Sequence, residues 1–174
     1  MQADALLATL AWIKAHGIEA LVLDELRPAD LPSLGWSGNA GHLRNVAERL
    51  TRIAANDIDY LVIRAPSGAP VSKLCIDYMV RPASGMLMQL ATHPEFRRMG
   101  LARRLISEAE RRVAQRGLHS VLIGVEDDNP AARSLYERLG YTAAERMAAS
   151  WETEDDEGRI STCRTELLLL EKLV

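Results

Sequence analysis

The residues best placed to do chemistry lie where the period of the sequence changes, at Leu90-Ala91-Thr92-His93-Pro94-Glu95-Phe96-Arg97-Arg98-Met99-Gly100-Leu101-Ala102-Arg103. A strand-like run ends there and a helical stripe begins. The first turn of a helix leaves backbone N–H groups without intrahelical acceptors and carries the positive end of the helix dipole, so it suits a phosphate or pyrophosphate. Gly100 removes a Cβ where a ligand would press on the backbone, and Ala102 keeps the next approach nearly as open. Arg97, Arg98, Arg103 and Arg104 place cationic donors around the same turn. On spacing alone, a solvated basic helix with an incidental glycine fits equally well. No Gly-x-x-x-x-Gly-Lys-Ser/Thr or Gly-x-Gly-x-x-Gly run is present, so a P-loop or a dinucleotide fold has no support.

A second constellation follows at Val125-Glu126-Asp127-Asp128-Asn129-Pro130 and runs on to Tyr136 and Gly140-Tyr141. Asn129 reads as an N-cap with Pro130 at the first helical position. Seven residues make about two helical turns, so Asn129 and Tyr136 share a face and can line one groove. A phenol with a pKa near 10 can donate a hydrogen bond or a proton to a group that gains negative charge as it leaves. Glu126, at the end of an apolar run, is the candidate general base. Gln89 could position a water, and Asp127 and Asp128 serve equally well as acids capping the helix. The alternative for Tyr136 is a ring packed on a sheet with its hydroxyl at the surface.

These groups need elements to hold them. Helical stripes are expected at 3 to 16, ending at Gly17, at 42 to 55, at 101 to 116 and at 130 to 139. Strands are expected within 18 to 26 and at 59 to 64, 71 to 80, 86 to 92, 120 to 125, 141 to 151 and 160 to 170. The expected fold class is α/β (α+β): a mixed, mostly antiparallel sheet with helices on both faces, all in one domain spanning 1–174. Its 174 residues, 48% hydrophobic and 26% charged, suffice for a core without metal or disulfide staples. Cys75 and Cys163 stand apart, and no metal site is assembled; His16, His42, His93 and His119 read as surface or capping residues. Short apolar runs and the lack of a basic leader imply a cytoplasmic protein with no membrane span. A net charge of -3 argues against nucleic acid as a partner. Yet seven of 18 arginines fall between Arg97 and Arg116, and five acids lie between Glu152 and Glu157. That acidic turn is either a solvated hairpin tip or a lure for a cationic amine, and Trp36 and Trp151 either wall an acceptor pocket or simply pack.

Arg97-x-x-Gly100-x-Ala102, after a strand and opening a helix, resembles the acyl-CoA signature Arg/Gln-x-x-Gly-x-Gly/Ala of the GNAT acyltransferase superfamily. Asn129, Tyr136 and Gly140-Tyr141 resemble that family's second signature. The resemblance covers roughly 18 to 170, with the helix up to residue 17 as an extra. It implies acetyl transfer from acetyl-CoA to a small-molecule or peptide amine by direct attack in a ternary complex, with no metal, in a protein that is often a homodimer. It further implies that the exposed backbone of Leu90, Ala91 and Thr92 bonds the pantetheine arm. The amides of Arg98, Met99, Gly100, Leu101, Ala102 and Arg103, with the Arg97 side chain nearby, would hold the pyrophosphate. Asn129 would contact the pantetheine or thioester region, and Tyr136 would lie near the sulfur. Some relatives carry their base two residues before Glu126, where this chain has Gly124. A non-catalytic acyl-CoA-binding module is the alternative reading.

Overall fold

A computed structural model describes Ala11, Ile13, Gly17 and residues 21–154 and 159–174. Of the helix expected at 3 to 16, Ala11 and Ile13 are helical, and Gly17 follows at φ 78° with its N–H on the Ile13 carbonyl at 2.7 Å; the remainder lies outside the described residues. The elements then run β1 (Val22–Glu25), α1 (Ala40–Thr51), β2 (Ile58–Arg64), β3 (Pro70–Asp77), β4 (Ser84–Thr92), α2 (Leu101–Gln115), β5 (Ser120–Glu126), α3 (Pro130–Arg138), β6 (Thr142–Glu154) and β7 (Ile160–Leu173). The described strands form one sheet in the order β1-β2-β3-β4-β5-β7-β6, antiparallel except for the β4–β5 pair. This is the mixed α/β architecture that the periodicity implies.

Each face of the sheet has its own apolar layer. On one, Leu101, Leu105, Ile106, Ala109 and Val113 of α2 pack with Ile63, Leu74, Ile76, Leu87, Val121 and Ile123, and Tyr136 of α3 joins them. On the other, Val46 and Leu50 of α1 pack on Tyr60, Val62 and Cys75. Burying such side chains fully contributes about 1.5–3 kcal/mol each, which is what fixes helices to both faces.

Several boundaries differ from the sequence expectation for identifiable reasons. Helix α1 starts at Ala40 rather than His42 because the Asn39 side chain, within a stretch read as loop, accepts the His42 N–H at 2.9 Å. Strand β3 stops at Asp77 instead of reaching Val80. The Asp77 carboxylate accepts from the Met79 N–H at 3.0 Å, from Arg49 at 3.0 Å and from Arg52 at 2.7 Å, so it ends the strand and moors α1 to it. Arg112 and Arg116 are more than a solvated helix face. Arg112 bridges Glu108, Glu25 and Asp59, and the Arg116 guanidinium stacks 3.7 Å from the centroid of the Tyr78 ring.

Candidate functional site

Strands β4 and β5 pair only from Ser84↔Ser120 to Leu87↔Ile123. Beyond Leu87 they part, so the later backbone of β4 faces a gap on that side. At the fork β4 also bulges: its pairing with β3 shifts between Lys73↔Ala91 and Cys75↔Met88, and Gln89 adopts φ 53°. A bulge inserts one residue and re-aims the backbone beside it. Sequence reading, which treats 86 to 92 as a plain strand, does not show it.

The gap opens into a cleft of about 860 Å³. Leu90, Glu126, Asn129 and Tyr136, all selected from the sequence, line it, as do Gln89 and Gly124. Ala91 and Thr92 continue β4 past the cleft and pair with Lys73 and Ser72 of β3. The Ala91 carbonyl accepts from the Ser72 hydroxyl at 3.0 Å, and the Thr92 carbonyl accepts from Arg97 Nε at 3.4 Å.

The turn after β4 is built as an anion seat. Arg98 at φ 64° and Gly100 at φ 81° put two left-handed residues just ahead of α2. A Cβ on Gly100 would meet nothing within 4 Å, so glycine serves the backbone angle there and leaves open space above it. The N–H groups from Arg98 to Arg103 have no acceptor among the described residues; the next one, Arg104, reaches the Gly100 carbonyl at 3.0 Å. Six consecutive amides at a helix start can take a phosphate or pyrophosphate. Arg97, Arg98 and Arg103 are exposed around this turn. Arg104 corrects the expected cluster: its guanidinium donates to the Leu21 carbonyl at 2.6 Å and ties down the chain entering β1.

Asn129 caps α3, accepting the Ala132 N–H at 3.1 Å, and so holds the helix that carries Tyr136. The Tyr136 ring is buried against the Tyr141 ring, with centroids 6.3 Å apart. Burial pushes its hydroxyl pKa up to about 12, which keeps it a proton donor at neutral pH. At Gly124 a Cβ would stand 2.9 Å from Leu167 Cδ1, so the place two residues before Glu126 is covered by an apolar side chain from β7, which a larger residue there would have to displace.

The opposite wall comes from α1 and β6. His42, Asn45, Glu48 and Arg49 line it, together with Met147, Ala149, Ser150 and Trp151. Trp151 is therefore a wall residue, as one of the sequence readings had it. Trp36 is not: it packs edge-on to His93, with centroids 5.5 Å apart, beside the α1 layer. Glu154, from the acidic stretch, pairs with Arg44 at 2.6 Å, and its carbonyl accepts from Asn39 Nδ2 at 2.7 Å, so β6 is tied to the start of α1. Residues 155–158 of that turn lie outside the described residues. His42 is a cleft residue rather than a surface cap, and behind it lie Lys73, Tyr60 and Gln89, a cluster with no sequence motif.

A family model described as FR47-like protein matches residues 67–152, which span the bulge, the anion seat, both signatures and most of β6. Solved structures share the fold at low identity. A phosphinothricin acetyltransferase from Sinorhizobium meliloti, a GNAT superfamily protein in complex with AcCoA, superposes with TM-score 0.67 at 18% identity, covering 89% of each chain. Spermidine N-acetyltransferase from Vibrio cholerae, in complex with CoA and spermine, gives 0.67 at 19%, covering 89% of this chain and 96% of that one. Ribosomal-protein-alanine N-acetyltransferase from Brucella melitensis gives 0.68 at 21%, covering 88% and 100%. The forked sheet, the two signatures on either side of the fork and these likenesses agree: residues 67–152 form an FR47-like, GNAT-type domain, and the chain has the GNAT fold.

Proposed function

We propose that the protein is an N-acetyltransferase that moves an acetyl group from acetyl-CoA to a primary amine by direct attack. The observation that carries this reading is the fork between β4 and β5, ending in six unpartnered amides at the start of α2, with the Tyr136 hydroxyl on the same cleft. A long ligand with an anionic end fits that layout. The amides of Arg98 to Arg103 hold its pyrophosphate, the open backbone of β4 around Leu90 takes the pantetheine arm, and the thioester comes to lie between the bulge and Tyr136. When bound, acetyl-CoA supplies the acyl group and a thiolate leaving group.

The chain's own residues then have distinct tasks. Backbone N–H groups at the bulge polarise the carbonyl that gains negative charge, a task best done by fixed donors in a partly dry site. Tyr136 donates to the departing sulfur. Neither cysteine serves as an acyl carrier in this reading, because Cys75 is buried with its thiol pKa pushed up to about 12 and Cys163 lies on β7 away from the cleft lining. The acceptor enters from the α1–β6 side, where Glu48, Glu126 and Trp151 offer carboxylates and an aromatic face to an amine.

The test is thiol release from acetyl-CoA against a panel holding a polyamine, a free amino acid and a peptide with an alanine N-terminus. Turnover on at least one is expected, with Tyr136→Phe lowering kcat about 10- to 100-fold while leaving acetyl-CoA affinity within about twofold. Tight acetyl-CoA binding with no thiol release on any amine would convert the reading to a binding module.

A further inference from the structure

Lys73 lies in the middle of β3 with no exposed surface, and among the described residues no carboxylate reaches it. A buried ammonium without a counter-ion is costly, and an apolar residue of the same length would fill the space at lower cost. Among the described residues its Nζ has three hydrogen-bond partners: the Gln89 carbonyl at 3.1 Å, the Tyr60 hydroxyl at 3.2 Å and His42 Nε2 at 3.2 Å. Tyr60 in turn donates to Gln89 Oε1 at 2.8 Å. The left-handed turn of β4 at Gln89 accompanies the carbonyl that meets the lysine.

This seat fits both protonation states. As an ammonium, Lys73 has three donors for three acceptors. As an amine, it donates to Gln89 and Tyr60 and accepts at its lone pair from His42 Nε2–H. His42 is the link to the cleft, since its side chain lines the wall and its Nδ1 has no partner among the described residues. The wall is fitted around this ring: a Cβ on Gly38 would come within 2.6 to 2.8 Å of His42 Cγ, Cδ2 and Cβ.

We propose that His42 takes the proton of the acceptor amine and that Lys73 is the buried store into which His42 passes it. The inference rests on the acyl-transfer reading of the cleft. As the amine nitrogen bonds to the carbonyl carbon and the C–S bond breaks, the N–H proton goes to His42 Nδ1. The Nε2–H proton moves onto the Lys73 lone pair. Lys73 becomes an ammonium with all three donors satisfied, and His42 is again neutral in its other tautomer. The stored proton and the released thiolate together make the thiol product. His42 is thus the catalytic base, and Lys73, acting through it, is a positioning residue.

The charges around the pair suit this role. Tyr60 of β2 and Cys75 of β3 are neutral, burial having pushed both upward. Arg49 of α1 is committed to Asp77, and Glu48 lines the cleft on the same helix. Burial lowers Lys73 to about 7, and burial together with the Lys73 charge lowers His42 to about 4. Between those values the pair holds one proton, on Lys73, and the relay is full. Above about 7 it is empty, so the rate should rise with pH through that point.

Two measurements test the relay. The chain has three lysines, Lys14, Lys73 and Lys172, so lysine-selective isotope labelling with Lys73→Met for assignment reads the Lys73 titration by NMR without any turnover. One Nζ titrating near 7 is expected. On the best amine of the panel, kcat rather than kcat/KM is followed against pH, so that the free acceptor's own titration drops out. The acidic limb should fall near 7 in the native protein and move below 6.5 in Lys73→Met, where a desolvated histidine titrates without its store. His42→Gln should lower kcat about 10²-fold or more with acetyl-CoA affinity unchanged. Lys73 titrating above 9, or His42→Gln retaining the native kcat, overturns the relay alone. Absence of thiol release by the native protein on every amine overturns the acyl-transfer reading and the relay with it.

Discussion

The two walls of the cleft are made of different material. The wall that would hold the coenzyme is backbone: an unpaired strand edge, a bulge and six amides at a helix start, with side chains in supporting roles. The wall that would meet the acceptor is side chains: His42 and Asn45 from α1, Trp151 from β6, and Lys73 and Tyr60 behind them from β3 and β2. Backbone recognition tolerates sequence change so long as dihedral angles survive, and it suits a ligand that a whole superfamily shares. Side-chain recognition can be altered one residue at a time, which suits an acceptor that differs from member to member.

The strongest test of that contrast replaces Lys73. The Lys73 pKa is depressed in the folded chain, to about 7 from 10.5, so between those values the unfolded chain binds more protons and stability rises with pH. The ammonium's burial cost is fully present below about 7 and is relieved as pH climbs to 10. Lys73→Met has no charge to desolvate, though it leaves Gln89, Tyr60 and His42 short of a hydrogen-bond partner at every pH. The native protein should therefore gain on the variant by on the order of 3 kcal/mol between pH 7 and 10 in denaturant titrations. Parallel curves would mean that Lys73 keeps its proton, and the acceptor wall would lose its titrating core.

A smaller effect is expected on the backbone wall. Gly100 stands at φ 81° with open space around its missing Cβ, so a substitution acts through the dihedral alone. A β-branched residue in the left-handed region costs about 1–3 kcal/mol, and the turn can escape by giving up its shape. Gly100→Val should weaken acetyl-CoA binding about 10- to 100-fold by calorimetry and leave the Lys73 titration where it was. Loss at both walls would show that they are one mechanical unit.

The same division explains what the sequence discloses. The anion seat and the Asn129–Tyr136 face are local: each is a strand-to-helix passage within about 15 residues, and helix geometry fixes who faces whom. The order of elements along the chain is nearly as accessible, because β2 to β4 are joined by short turns and α2 and α3 then break in with a different period; the place of β7 between β5 and β6 is not. His42, Tyr60, Lys73 and Gln89 come from four elements and meet only through long-range packing. Nothing in the row Val71-Ser72-Lys73-Leu74-Cys75 says that its one charge points inward. The bulge that turns the Gln89 carbonyl onto Lys73 has no glycine or proline to announce it. Arg104 errs in the other direction: it belongs to the basic run by position, but it leaves the seat because one helical step swings it toward Leu21.

The finest test concerns fit rather than charge. At Gly38, φ is 160° and the backbone is extended, so any residue can adopt it; glycine is needed there because of the His42 ring. An added methyl would overlap the imidazole by several tenths of an ångström, and the ring must rotate or slide. Asn39 holds the start of α1 through both its cap and Glu154, so the helix itself cannot retreat to make room. Gly38→Ala should therefore lengthen the His42–Lys73 contact without unfolding α1. The expected result is a fall in kcat of about 10-fold with acetyl-CoA affinity intact, and an upward shift of His42 toward its ordinary value of 6.5 as it gains solvent and loses its cationic neighbour. A fall in acetyl-CoA affinity instead would mean that Gly38 serves the coenzyme wall, and that the boundary between backbone and side-chain recognition lies on the other side of α1.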